Sequence, residues 1–303
     1  MAEDEDQLPQ GAEADLIAAV AQAEQGDPAL QRSDLAFSAL LHEVVVEIDR
    51  QMAVFLGSEQ DSGPHKTRVA LRRLTTALDA FAPILKRKAA GRARAEAKWI
   101  FRRLGRVRDA DVYLAGRRKR GAPAAEIEAL ARDTLALRAE MREALRLKKA
   151  VAFAPALLRD LSEGLLLKTG QRGLAARARP VSRLAARALD AAWAAGLSHG
   201  KDIAGLSEEA RHEFRKDMKT LRYTAEFFEP LWPVDRWAEF EAALEDLQDA
   251  LGLLNDLAVA RRKAGKKAPA RATDRGDEAQ ALEAAEALWR RLLQAGPFWT
   301  SGG

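Results

Sequence analysis

The chain has 303 residues, of which 48% are apolar and 31% charged, and it contains no cysteine. This apolar content can fill a buried core, so the sequence is unlike those of intrinsically disordered proteins. The lack of cysteine excludes disulfides, zinc–thiolate sites and cysteine nucleophiles, and it is typical of a protein in the reducing cytoplasm. No apolar run approaches the ~18 residues of a membrane span, and the acidic start of the chain is unlike a secretory signal or a transit peptide.

Charge is distributed unevenly along the chain. The formal net charge is only +4, yet residues 1–31 hold eight acidic residues and no basic one. The remaining residues therefore carry 49 basic and 37 acidic side chains, a net charge of +12. The excess is greatest in residues 61–120, which have 18 basic and 5 acidic side chains. A basic body of this kind indicates a polyanionic partner: a nucleic acid, an anionic membrane surface or a phosphate polymer.

Apolar residues recur with the 3.6-residue period of helices along most of the chain. Alanine, leucine, arginine and glutamate, which are good helix formers, dominate the composition. The sequence therefore predicts an all-α fold, with a linker in the Gly-, Arg- and Pro-rich stretch 168–180. In chain order, the predicted helices are 34–56, 64–82, 88–104, 108–120, 124–149, 152–167, 178–196, 207–229, 235–251, 254–265 and 275–294.

Two segments repeat at a fixed offset of 147 residues. HKTRVALRRLTTALDAF, starting at His65, aligns with HEFRKDMKTLRYTAEFF, starting at His212, and LGRVRDADV at Leu104 aligns with LGLLNDLAV at Leu251. Ten of the 48 gap-free pairs are identical. This predicts an internal duplication that folds as two helical bundles related by a pseudo-twofold axis. The predicted parts are an acidic, disordered tail at 1–32, a first repeat at 33–150, a linker at 151–177 and a second repeat at 178–299.

Each repeated segment places basic side chains on one helical face and apolar side chains on the opposite face. The first stripe comprises His65, Arg68 and Arg72, with Arg73 beside them. The second stripe comprises His212, Arg215, Lys219 and Arg222, with Lys216 beside them. The opposite faces are predicted to be core: Leu71, Leu74, Leu78 and Phe81 in the first segment, and Phe214, Met218, Leu221, Ala225 and Phe228 in the second.

The length of a stripe indicates the shape of its ligand. From His212 to Arg222 the second stripe spans about 15 Å, at ~1.5 Å per residue. A row of guanidinium, ammonium and imidazole donors suits a row of phosphates better than a single phosphate. If the two helices face each other, the stripes line one central basic channel.

Other interpretations of these residues stay open. Each stripe could be a solvated helix face, although the repeated spacing argues against this, or carboxylates of the predicted helix 235–251 could neutralise the second stripe. Asp109 and Asp256, at equivalent positions, are predicted helix caps or salt-bridge partners. Five further arginines either extend the basic wall or lie on the ordinary surface: Arg102, Arg103, Arg106, Arg183 and Arg187.

HKTRVALRRL and RHEFRKDMKTLRY resemble the two signature segments of the CHAD family, the conserved histidine α-helical domain. RRLGRVRDADV, LQDALGLLNDLAV and the closing AGPFW resemble later segments of that family, so the resemblance covers roughly 33–299. It implies two helical bundles around a central basic pore that binds inorganic polyphosphate through the histidines, arginines and lysines of both stripes. One departure is Thr75, where the family usually has a further arginine, so the first stripe is expected to be weaker at that end.

The resemblance and the stripes together predict non-enzymatic binding of inorganic polyphosphate without a metal or cofactor. The expected location is the cytoplasm, at polyphosphate granules and beside their proteins. Residues 1–32 are too short for the N-terminal triphosphatase domain of many family members, so a stand-alone module is expected.

Two rival functions remain. A nucleic-acid binder would use the basic residues of 86–120. A metal-assisted phosphohydrolase would use the histidines. A metal-assisted phosphohydrolase requires metal-binding carboxylates beside the basic groups. Glu209 precedes His212 at a spacing seen in metal-binding bundles, but the first repeat has Ser62 in that position.

Overall fold

Secondary structure is helical throughout the described part of the chain, apart from turns and two isolated β-bridges. The computed structural model describes residues 27–58, 60, 62–264 and 272–299. The predicted all-α class is confirmed. The predicted acidic tail, 1–32, lies outside the described residues except for 27–32.

The chain divides into two compact units between Val181 and Ser182. The helices of the first unit are α1 (Ser33–Gly57), α2 (Ser62–Ala80), α3 (Arg87–Lys119), α4 (Ala124–Arg146), α5 (Lys148–Val151), α6 (Phe153–Ser162) and α7 (Gln171–Arg177). Those of the second unit are α8 (Val181–Leu197), which starts at the division, α9 (Glu208–Phe228), α10 (Val234–Ala264) and α11 (Ala272–Ala295). Short 3₁₀ turns, Ala82–Ile84 and Glu229–Leu231, follow α2 and α9.

Two pairs of predicted helices are each one continuous helix, so those boundaries were wrong. The predicted helices 88–104 and 108–120 are joined in α3, which ends at Lys119, and α10 joins the predicted helix 235–251 to the described part, 254–264, of the next one. The predicted gaps contain Gly105 and Gly252, which both stay helical. A single glycine costs a helix only about 1 kcal/mol relative to alanine, which a long packed helix tolerates.

The stretch 168–180 is not wholly irregular, because it contains α7. Gly170 precedes α7 with a φ of 82°, a conformation that glycine adopts readily, and Pro180 follows the helix. Between them, alanine, leucine and arginine supply helix-forming residues.

In the first unit, α2 packs against both α1 and α3. The predicted core face of α2 is confirmed, since Leu71, Leu74 and Leu78 are almost fully buried, as is Phe81 just after the helix. Burial of this apolar stripe fixes the rotation of α2, so its opposite face, which carries the first stripe, is turned away from the core.

In the second unit, α9 packs against α10, and α10 packs against α11. The predicted core face of α9 is also confirmed. Its Phe214 contacts Trp289 with ring centroids 5.1 Å apart, and Trp289 in turn contacts Trp193 at 5.6 Å. This aromatic cluster holds α9 with its basic side outward. Within the described ranges, every helix is too short or too polar to span a bilayer.

Candidate functional site

Two arginines of the first stripe lie over the same aromatic ring. The guanidinium carbon of Arg68 is 3.9 Å from the centre of the Phe101 ring, and that of Arg72 is 5.4 Å from it. Arg68 also donates a hydrogen bond from Nη1 to the carbonyl oxygen of Phe101, at 2.9 Å. Because Phe101 belongs to α3 and the arginines to α2, helix packing brings the two cations together on one platform.

The charge on Arg68 is held in an unfavourable environment. Burial lowers the pKa of Arg68 below its ordinary value, and the positive charges of Arg72 and Arg108 lower it further, while the carboxylate of Asp109 raises it. Among the described residues, no carboxylate lies within ion-pair distance of Arg68. A partly buried guanidinium with like charges around it gains from any bound anion.

The rest of the first stripe is more accessible. His65 is exposed on the first turn of α2, and Arg73 is half-buried with Nη2 3.9 Å from a carboxylate oxygen of Glu43. Thr75 donates its hydroxyl to the carbonyl oxygen of Arg72, at 2.9 Å, and so bonds back to its own helix. This end of the stripe therefore presents no cation at Thr75.

The second stripe begins at an exposed histidine with an amide partner. Nδ1 of His212 donates to Oδ1 of Asn255, at 3.2 Å, because that amide oxygen can only accept. In the neutral ring Nε2 is then an acceptor, so only the protonated ring can donate to a phosphate through Nε2. A shallow recess at this end is lined by His212, Arg211, Arg215 and Asn255, and also by Glu208, Glu209 and Glu213.

Carboxylates pair with one cation of the second stripe, Arg222, and with Lys216 beside it. Lys216 donates to Glu213, at 2.7 Å, and this bond lowers the pKa of Glu213. Arg222 donates from Nε to Glu226, at 2.7 Å, and its Nη2 lies 3.6 Å from Glu245 of α10. The alternative in which the 235–251 region neutralises the second stripe is thus confirmed at Arg222.

The surroundings of Arg222 are strongly acidic. Burial would lower the pKa of Arg222, but its hydrogen bond to Glu226 and the charges of Glu226 and Glu245 outweigh burial and raise it. The pKa of Glu241 is raised by burial and by the negative charges of Glu229, Glu226 and Glu245. This end of the second stripe carries more negative than positive charge.

Two of the five candidate extensions, Arg103 and Arg106, have protein partners of their own. Arg103 stacks on Trp99 with its guanidinium carbon 3.6 Å from the ring centre, and Arg106 binds Glu140 at 2.9 Å. Arg102 is exposed on α3, and Arg183 and Arg187 are exposed on α8. The partners of Arg103 and Arg106 in the described structure lie outside the first stripe.

Sequence reasoning missed the Phe101 platform and the two helical glycines. Phe101 has no counterpart in the second repeat, where Gln248 stands 147 residues later and donates instead to the carbonyl oxygen of Met218, at 2.9 Å. Gly105 and Gly252 are an identical pair of the repeat, and that identity was the available signal.

Asp109 and Asp256 were expected to be helix caps or salt-bridge partners, and the structure excludes the cap role. Asp109 and Asp256 lie inside α3 and α10, away from either end. The negative charge of Asp109 raises the pKa of Arg68, although the two side chains do not form an ion pair. In the part of the chain that the structure describes, no group of three or more His, Asp or Glu side chains is placed to share a metal ion.

Comparison with known proteins identifies the fold and the family. The crystal structure of the CHAD domain from the plant Ricinus communis matches with a TM-score of 0.69 and 21% identity, covering 86% of this chain and 93% of that one. PptA from Streptomyces chartreusis matches with a TM-score of 0.54 and 21% identity, covering 87% and 99%. At this identity the two structures show the fold alone, and no curated protein sequence matches. The family model of the CHAD domain matches residues 39–265, most of the chain, so this protein belongs to the CHAD domain family.

Proposed function

We propose that this protein binds inorganic polyphosphate, without catalysing its turnover, through the basic residues of the two stripes. The CHAD family is associated with polyphosphate, which supports the choice of ligand. The observation that carries the proposal is the pair of guanidinium groups, Arg68 and Arg72, held over Phe101. Two like charges in one place, one of them partly buried, favour a ligand with several closely spaced negative charges.

The repeat supports a second site of the same kind in the second unit. The 3₁₀ turns Ala82–Ile84 and Glu229–Leu231 differ by the offset of 147 residues, and so do the first residues of α3 and α10. We propose that the two units arose by duplication and that both stripes face one basic channel. Such a channel would select a thin, linear polyanion over a duplex.

A calorimetric titration tests the proposed function. Long-chain polyphosphate should bind, and its affinity should fall by about 0.7 log units per phosphate contact for each tenfold rise in salt. Orthophosphate at the same total phosphate concentration should not compete, because it cannot span the stripe. If the titration detects no binding of long-chain polyphosphate at low salt, the proposal is wrong.

A competition titration and a phosphate-release assay separate the rival functions. Single-stranded RNA, which carries the same backbone charge together with bulky bases, should compete weakly; equal competition would favour a nucleic-acid binder. Phosphate release from polyphosphate, lost in a His65→Ala, His212→Ala double variant, would instead favour a phosphohydrolase. Under the proposed function the partners are polyphosphate and proteins of polyphosphate granules in the cytoplasm.

Removal of the carboxylates around Arg222 tests whether this arginine belongs to the site. The double variant E226Q/E245Q should bind polyphosphate about three- to fivefold more tightly, because ion pairs that remain partly open to solvent are worth about 0.2–1 kcal/mol. Glu47 and Glu283 lie outside both stripes, so E47Q/E283Q is a control with the same change in charge. Equal affinities of the two double variants would exclude Arg222 from the site.

A further inference from the structure

A glycine lies in the middle of α3 although glycine is disfavoured inside helices. Gly105 is buried and faces α2. A Cβ atom placed on Gly105 would lie 2.5 Å from Nη1 of Arg68 and 3.5 Å from its Cζ. The guanidinium of Arg68 therefore occupies the space that any other residue at position 105 would fill.

Neutral groups of α3 form a slot for this guanidinium. The Phe101 ring lies under it, the Phe101 carbonyl accepts from Nη1, and Gly105 leaves room one helical turn later. Among the described residues, Nη1 is the guanidinium nitrogen of Arg68 that has a protein acceptor. The slot holds one edge of the fork and leaves Nε and Nη2 to donate to a ligand.

We propose that Gly105 is a positioning residue, whose missing side chain lets Arg68 adopt the orientation in which it binds polyphosphate. The inference rests on the proposed function of the first stripe. A side chain at position 105 would displace the end of a flexible arginine rather than backbone, so the fold would survive while the orientation of the guanidinium would change.

The second unit supplies a matched control at the equivalent position. A Cβ atom on Gly252 would lie 3.7 Å from Nη2 of Arg215, an ordinary van der Waals contact. Alanine therefore fits at position 252 without moving the arginine. The two glycines share their position in the repeat and differ in the distance to the neighbouring guanidinium.

The experiment compares Gly105→Ala with Gly252→Ala by calorimetric titration with long-chain polyphosphate. Gly105→Ala should weaken binding about tenfold, as expected from misplacing one charge-assisted hydrogen bond, whereas Gly252→Ala should stay within about twofold of wild type. Gly252→Ala should melt at or above the wild-type Tm, because alanine favours the helix. Gly105→Ala should melt close to the wild-type Tm, because the same gain offsets the contacts that Arg68 loses. Loss of affinity without loss of Tm is the result that a merely structural glycine would not give. An unchanged or tighter affinity of Gly105→Ala would overturn the inference.

A double-mutant cycle shows whether Gly105 acts through Arg68. In an Arg68→Ala background, Gly105→Ala should have no further effect on affinity. An equal loss in both backgrounds would mean that the glycine acts by another route, and the inference would be wrong. If wild type fails to bind polyphosphate, or if Arg68→Ala leaves affinity unchanged, the proposed function of the stripe fails instead, so the two failures are distinguishable.

Discussion

Replacement of Arg68 and Arg72 by glutamine (R68Q/R72Q) is expected to weaken binding of long-chain polyphosphate at least about 100-fold. Under the proposed function, each substitution would remove a charge-assisted hydrogen bond to phosphate, worth about 1.5–3 kcal/mol. Each 1.4 kcal/mol corresponds to a tenfold change in affinity. Glutamine keeps much of the length and polarity of arginine, so the packing of α2 against α3 should persist.

The salt dependence of binding provides a second readout for the same variant. If both arginines contact phosphates, the slope of log affinity against log salt concentration should become shallower by about 1.4, or about 0.7 for each contact. A general loss of folded protein would lower the binding capacity and leave this slope unchanged.

A control with the same change in net charge isolates the role of position. Arg50 and Arg290 are exposed and already have carboxylate partners, Glu47 and Glu286. R50Q/R290Q should therefore bind polyphosphate with nearly the wild-type affinity and salt slope. If R50Q/R290Q weakens binding as much as R68Q/R72Q, the affinity reflects total charge and the first stripe is not the site.

The orientation of both stripes could be predicted from sequence because apolar periodicity alone determines it. Leu74 and Met218, on the predicted core faces, are fully buried, and a helix that buries one face must present the opposite one. Repetition at an offset of 147 residues then distinguished these two basic faces from other charged surfaces of the chain.

The contacts that modify the stripes depend on packing between helices, which periodicity does not encode. The Phe101 ring reaches Arg68 and Arg72 from α3, and Glu245 reaches Arg222 from α10. The role of Gly105 also depends on a contact between helices. A glycine in a helical pattern is usually read as a weak point, and the predicted helices ended beside it, whereas the structure uses it to admit a side chain from a neighbouring helix.

Of the substitutions proposed for this protein, removal of the Asp111 carboxylate is expected to lower the free energy of unfolding most. Asp111 of α3 binds Arg138 of α4 through two hydrogen bonds, of 2.8 and 3.3 Å, and the two side chains are only 5% and 3% exposed. Asp111→Ala leaves a buried guanidinium without this partner, which costs about 3–5 kcal/mol. Chemical denaturation followed by circular dichroism measures this loss as a change in the free energy of unfolding.

A second ion pair between the same two helices separates the effect of burial from the effect of pairing. Arg106 of α3 binds Glu140 of α4 at 2.9 Å, with side chains 55% and 58% exposed. Glu140→Ala should cost about 0.2–1 kcal/mol, because water solvates the arginine that remains. Replacing both buried partners with apolar residues (D111L/R138M) should recover most of the loss, since the penalty arises from the uncompensated charge. Similar losses for Asp111→Ala and Glu140→Ala would show that the buried pair contributes no more than a surface one, and a full loss in D111L/R138M would assign the stability to the pairing itself.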